Sequence, residues 1–106
     1  MKNNYLELTS NEILNKCLTL NSLIEFHRHR ILNFEKLYFK SMSLESKRAI
    51  RDSLYKDYFY YYKSCNRLSS ILIHHSDVDE EILGNLVDNI VNAVIIMNNF
   101  NSYYQV

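Results

Sequence analysis

The chain has 106 residues, 47% of them hydrophobic and 23% charged, which excludes a disordered protein and fits one domain burying roughly 65% of its unfolded surface. Twelve Lys and Arg side chains balance twelve Asp and Glu, so a uniformly basic nucleic-acid binder is excluded as well. There is no proline and a single glycine, Gly84; with both helix breakers almost absent, a few long helices packed side by side are expected.

The charges are unevenly placed. Residues 27–67 hold ten Lys/Arg against four Asp/Glu, whereas residues 76–106 hold five acidic side chains and no basic one. Such a split favours contacts between the basic and acidic portions, within the bundle or between subunits. Cys17 and Cys65 are too few and too far apart for a disulfide framework or a zinc site, and both fall on apolar stripes. With a polar N-terminus lacking a signal peptide, a reducing cytoplasm is the expected location. Alanine occurs only at positions 49 and 93 while Asn, Ile, Lys and Tyr abound, the coding bias of an AT-rich genome such as a low-GC bacterium, its phages or a virus.

The first helix is predicted over 10–41. It opens on Thr9-Ser10-Asn11-Glu12, a capping box in which threonine and glutamate satisfy each other's orphan amides. Ile13, Cys17, Leu20, Ile24, His27, Ile31, Phe34 and Tyr38 then recur at alternating intervals of four and three, a seam of almost four heptads. Ser22, His29, Asn33, Lys36 and Lys40 occupy the opposite, hydrophilic face. Such a helix is about 45–50 Å long. The break is Ser41-Met42-Ser43, with Ser43 as N-cap of the next helix and Glu45 near its positive end.

The second helix, predicted over 44–75, carries Ile50, Leu54, Tyr58, Tyr61, Cys65, Leu68 and Leu72 on one face, widened on one flank by Tyr55, Phe59 and Tyr62. Asn21 and Asn66 are the weakest points, where helix one or two is open to bending or splitting. After His74-His75 a second capping box, Asp77-Val78-Asp79-Glu80, starts the third helix, predicted over 78–100. Its apolar positions are Leu83, Leu86, Val87, Ile90, Val91, Val94 and Met97, with a narrow polar stripe of Asn85, Asp88, Asn89 and Asn92. Asp88 and the asparagines exclude a membrane span here. Short connections between long helices give an all-α, antiparallel up-down-up bundle of three, a single domain over residues 1–106. Residues 98–106 are left to fray or fold back. Helix three is apolar around more than half its circumference, so it either sits deep between the other two or keeps a face for a second copy or a partner helix.

The candidate chemistry is sparse. His27 and His29 point about 200° apart on a helix and His74 and His75 about 100°, so neither pair makes a metal site, and no cofactor is expected. His27 is expected to be a satisfied core histidine and His29 to pair with Glu25. Arg67 followed by His74 resembles the Arg-x(4–6)-His signature of HEPN ribonucleases, themselves helical bundles; the residue after the arginine, usually polar there, is Leu68 here. That resemblance implies His74 as acid or base and Arg67 as phosphate holder. Ser, Asp and His show no triad-like spacing, and one glycine cannot build a phosphate-cradling loop. A non-enzymatic protein is therefore expected.

Lys56, Tyr60, Lys63 and Arg67, spaced four, three and four, share the face of helix two opposite its apolar seam. A cationic ridge with one aromatic suits an acidic protein surface or, as an alternative, nucleic-acid phosphates with a stacked base. Tyr58 to Tyr62 is aromatic at every position; tyrosine is enriched where one end is dry and the other wet, and Tyr55, Phe59 and Tyr62 are the expected interface edge. The expected function is macromolecular binding by a small regulator, adaptor or inhibitor, possible as a homodimer and as a phage or mobile-element accessory. Alternatives are a nucleic-acid-binding bundle, an immunity or toxin-neutralising protein, and a HEPN-like ribonuclease.

Overall fold

The computed structural model describes residues 10–41, 43–74 and 80–105. Three long helices, α1 (Ser10–Lys40), α2 (Leu44–His74) and α3 (Glu80–Asn98), precede a single turn, α4 (Phe100–Tyr103), with no strand among the described residues. The bundle is rod-shaped, 51 × 25 × 20 Å, as a 31-residue helix rising 1.5 Å per residue requires. The capping boxes at Thr9 and Asp77, and His75, lie outside the described residues.

Heptad spacing decides what is buried. Leu20, Ile24, Ile31 and Tyr38 of α1 and Leu54, Tyr58, Cys65 and Leu68 of α2 are buried, with Leu54 and Cys65 fully enclosed. Each large apolar side chain withdrawn this way contributes roughly 1.5–3 kcal/mol. The core falls into two clusters. One gathers Ile31, Tyr38, Leu54, Tyr58 and Ala93 with Phe100 and Tyr104; the other gathers Leu20, Ile24, Cys65, Leu68, Ile71 and Leu86. Tyr61 packs against both. Both long helices are continuous through Asn21 and Asn66, so neither is split.

The α1–α2 turn is closed by polar groups at both ends. Ser43 caps α2, its Oγ accepting from the Ser46 amide at 3.2 Å. Lys47 donates from Nζ to the Tyr38 carbonyl at 2.9 Å and lies 4.3 Å over the Tyr38 ring, satisfying a C-terminal carbonyl of α1.

The last residues fold back. Asn99 interrupts α3, its Nδ2 donating to the Ile95 carbonyl at 2.9 Å, and Phe100 and Tyr104 insert into the core. Phe100 meets Tyr55 edge-on at 5.1 Å, and Tyr104 meets Tyr38 edge-on at 5.5 Å. The Tyr104 hydroxyl donates to Glu35, and the Tyr38 hydroxyl donates to the Gln105 carbonyl. The C-terminus therefore staples α1, α2 and α3 together.

Helix α3 does not sink between the other two. Of its residues only Leu86 and Ala93 are buried; Val87, Val91 and Ile95 stay exposed. Between α1 and α3 a cleft of about 200 Å³ opens, walled by Arg28, Leu32 and Glu35 on one side and Asn89, Asn92 and Ile96 on the other.

Candidate functional site

The residues that converge lie across the α1–α2 seam. Asp57 is 3% exposed, a carboxylate among buried apolar side chains. It follows Leu54 by three positions and precedes Tyr61 by four, so it occupies the seam's α1-facing edge. Its compensation comes from α1. His27 Nδ1 lies 2.8 Å from Asp57 Oδ1, and Arg30 Nε donates to both carboxylate oxygens at 3.0 and 3.1 Å. A carboxylate only accepts, so Nδ1 carries the proton in this pair. His27 and Arg30 are one turn apart on α1, which lets both reach one acid. His27 is the satisfied histidine that the seam requires, with its side chain 14% exposed.

Aromatic rings frame this cluster. Tyr60 stacks on the His27 imidazole with centroids 5.5 Å apart and planes at 23°, and Phe26 meets it edge-on at 5.1 Å. The Arg30 guanidinium lies 5.5 Å from the Phe26 centroid and 5.1 Å from that of Phe34. Phe26, His27, Arg30, Ser53, Lys56, Asp57 and Tyr60 line one cleft of about 360 Å³.

The predicted ridge divides between two clefts. Lys56 and Tyr60 line the one just described, whereas Arg67 lines a second, of about 350 Å³, with Lys16, Thr19, Leu23 and Ile71. Lys63 stands between them over the Phe59 ring at 5.3 Å. All four ridge residues are exposed, and among the described residues Lys56, Lys63 and Arg67 enter no ion pair. Of the expected interface edge, Tyr62 is half-buried against the core, whereas Tyr55, edge-on to Phe100, and Phe59, edge-on to Tyr60, are both exposed.

Arg28 and Arg30 fall on opposite flanks of α1. Arg28 binds Glu25 at 2.7 Å, and His29 reaches the same carboxylate at 4.0 Å. The Arg28 hydrogen bond holds the Glu25 carboxyl below its ordinary range. His74 gives its Nδ1 to the Ser70 carbonyl at 2.7 Å; it stands two turns, about 10 Å, along the axis from Arg67. No group of three or more His, Cys, Asp or Glu converges as a metal site among the described residues, and no helix there is long and apolar enough to cross a membrane.

Asp57, Arg30 and Phe26 are the site residues that periodicity misses. The signal was an acid inside an apolar stripe, which demands a cation from another helix, and His27 with Arg30 is a pair able to supply it. Compared with known proteins, the chain matches no family model, no curated protein and no solved structure.

Proposed function

We propose that this protein is a non-enzymatic binding bundle, a small regulator or inhibitor that works by occupying an acidic surface of a protein partner. The observation that carries this reading is the ridge of exposed cations on α2, which have no acidic partner among the described residues. Side chains so placed keep their charge available to an outside surface, and a partner that supplies carboxylates gains on-rate and register from them. The open Phe59 ring beside Lys63 adds apolar contact area at the ridge. In this reading the molecule acts as a homodimer, the uncovered stripe of α3 meeting its copy.

Affinity purification from the native host, followed by mass spectrometry, tests the proposal. A protein captured by the wild type and lost with Lys63→Glu/Arg67→Glu, while circular dichroism stays unchanged, fits it. Capture indifferent to that double reversal rules the ridge out. A ligand that is a nucleic acid instead announces itself by a steep fall in affinity with salt.

A further inference from the structure

We propose that the cleft between α1 and α2 is a recognition site for a nucleoside phosphate, the phosphate held by Arg30 and Lys56 and the base stacked on Tyr60. This goes beyond the protein partner of the ridge: the Lys56–Tyr60 half of the ridge takes a small ligand unit, and Lys63 with Arg67 remains for the partner.

The argument starts from charge. Among the described residues Asp57 is the one carboxylate lining the cleft, and it is already engaged by Arg30 Nε and His27 Nδ1. Lys56 adds a cation with no acidic partner among the described residues, so the cleft carries a net positive charge. Donors are left over as well. Arg30 spends Nε on Asp57 and is 45% exposed at its side chain, and its terminal nitrogens enter no hydrogen bond with a described residue. A guanidinium with its two outer nitrogens unspent is the geometry that grips two oxygens of a phosphate. The Ser53 hydroxyl lines the same space and can donate to a phosphate oxygen, while His27, fixed through Nδ1, orients the Tyr60 ring stacked on it.

The ring preference follows from the walls. Tyr60 gives one face to His27 and meets the Phe59 ring at 5.8 Å, yet half of it is exposed, which leaves ring surface for a base. Phe26, also half exposed, forms a further apolar wall. A bare inorganic anion would leave both rings in water, whereas a base against an aromatic face gains stacking energy with little regard to its identity. A volume of about 360 Å³ suits one nucleotide unit. The unit is either a free nucleotide or one residue of a single strand.

The test is NMR of isotopically labelled full-length protein, following the His27 ring nitrogens and the Tyr60 ring protons. The probes are inorganic phosphate, uridine, uridine monophosphate, adenosine monophosphate and an octamer of uridylate. Both monophosphates are expected to move both sets of signals saturably, binding about tenfold more tightly than phosphate or uridine alone. An octamer about tenfold tighter than the monophosphates identifies the strand as the source; equal affinity identifies the free nucleotide, and either supports the site. Lys56→Gln and Tyr60→Leu change exposed side chains, so the fold persists, and each is expected to weaken the monophosphates about tenfold. Lys63→Gln and Arg67→Gln, outside the cleft, are expected to change them less than about twofold, which separates this site from the partner-binding half of the ridge. Unmoved His27 signals at roughly 10 mM of every probe, phosphate or uridine matching the monophosphates, or Lys56→Gln without effect would each overturn the proposal.

Discussion

At the scale of single residues, burial is the physical cause behind both the unusual titration and the unusual pairing in this chain. Cys65 is fully enclosed, and burial pushes its thiol from the ordinary 9.0 up to about 11. Tyr61, half-buried beside it, moves from 10.0 up to about 12, also by burial first. The Tyr104 phenol is held well above its ordinary value by burial and by its hydrogen bond to Glu35. In each case the folded state keeps a proton that the unfolded chain releases at lower pH. Stability is therefore intact below pH 9 and declines as pH climbs from 9 through 11 for Cys65 and from 10 through 12 for Tyr61, by at most about 1.4 kcal/mol per pH unit per group. Urea denaturation at pH 8, 9, 10 and 11 is expected to show a midpoint falling over that window, with Cys65→Ala flattening the first unit of the decline. A midpoint constant from pH 8 to 11 would contradict the burial of these groups. Asp57 shows the limit of reading at this scale. That it is an acid on an apolar stripe can be seen in the chain, but its partners are 27 and 30 residues away. Only the register of α1 against α2 brings them together.

At the scale of elements, the helices are legible because their signals are local: heptad spacing sets the faces, and a serine before an acidic first turn sets a start. Ser43 caps α2 as its position implies, and the predicted span of 44–75 agrees with α2 over the described residues, position 75 lying outside them. The return of the C-terminus is not local. Residues 100–104 are too few to show a period, and what folds them back is aromatic packing on Tyr38, Tyr55 and Tyr58 from two other helices. The depth of α3 escapes for a related reason: apolar count says how much wants cover, not whether cover exists. Gly84 offers a clean test of α3 as a helix. It sits in the first half of α3 at an ordinary helical φ, and a Cβ built there meets nothing within 4 Å. Gly84→Ala thus adds helix propensity without a clash, and is expected to stabilise the protein by about 0.8–1 kcal/mol. For a domain of this size that raises the melting temperature by roughly 4–8 °C. Calorimetry showing no rise, or a fall, would mean that residue 84 is pressed against something the single chain does not contain.

At the scale of the whole molecule, the rod shape determines what remains uncovered. The radius of gyration is 16.2 Å, against about 13 Å for a compact domain of this length. Two 31-residue helices side by side cannot enclose a thick core, and the chain exposes 7467 Å², where a compact monomer of its mass exposes roughly 6,200 Å². Part of that excess is apolar and ordered. Val87, Val91 and Ile95 follow one another by four residues on α3, each more than 40% exposed, and Asn98, one step further along the same stripe, lines a cleft with Tyr55. A self-complementary stripe of this kind is the usual material of a two-fold dimer, in which each copy covers the other. Light scattering is therefore expected to give a mass twice the 12.7 kDa of the chain. Val91→Glu, which places a carboxylate at the centre of the stripe, is expected to return it to a single copy; being exposed, the position costs the isolated fold only a few tenths of a kcal/mol. The clefts lined by Lys56, Tyr60 and Arg67 open between α2 and α1, so a dimer through α3 would leave them uncovered. A wild-type mass of one chain would remove the dimer and leave the stripe of Val87, Val91 and Ile95 uncovered in solution.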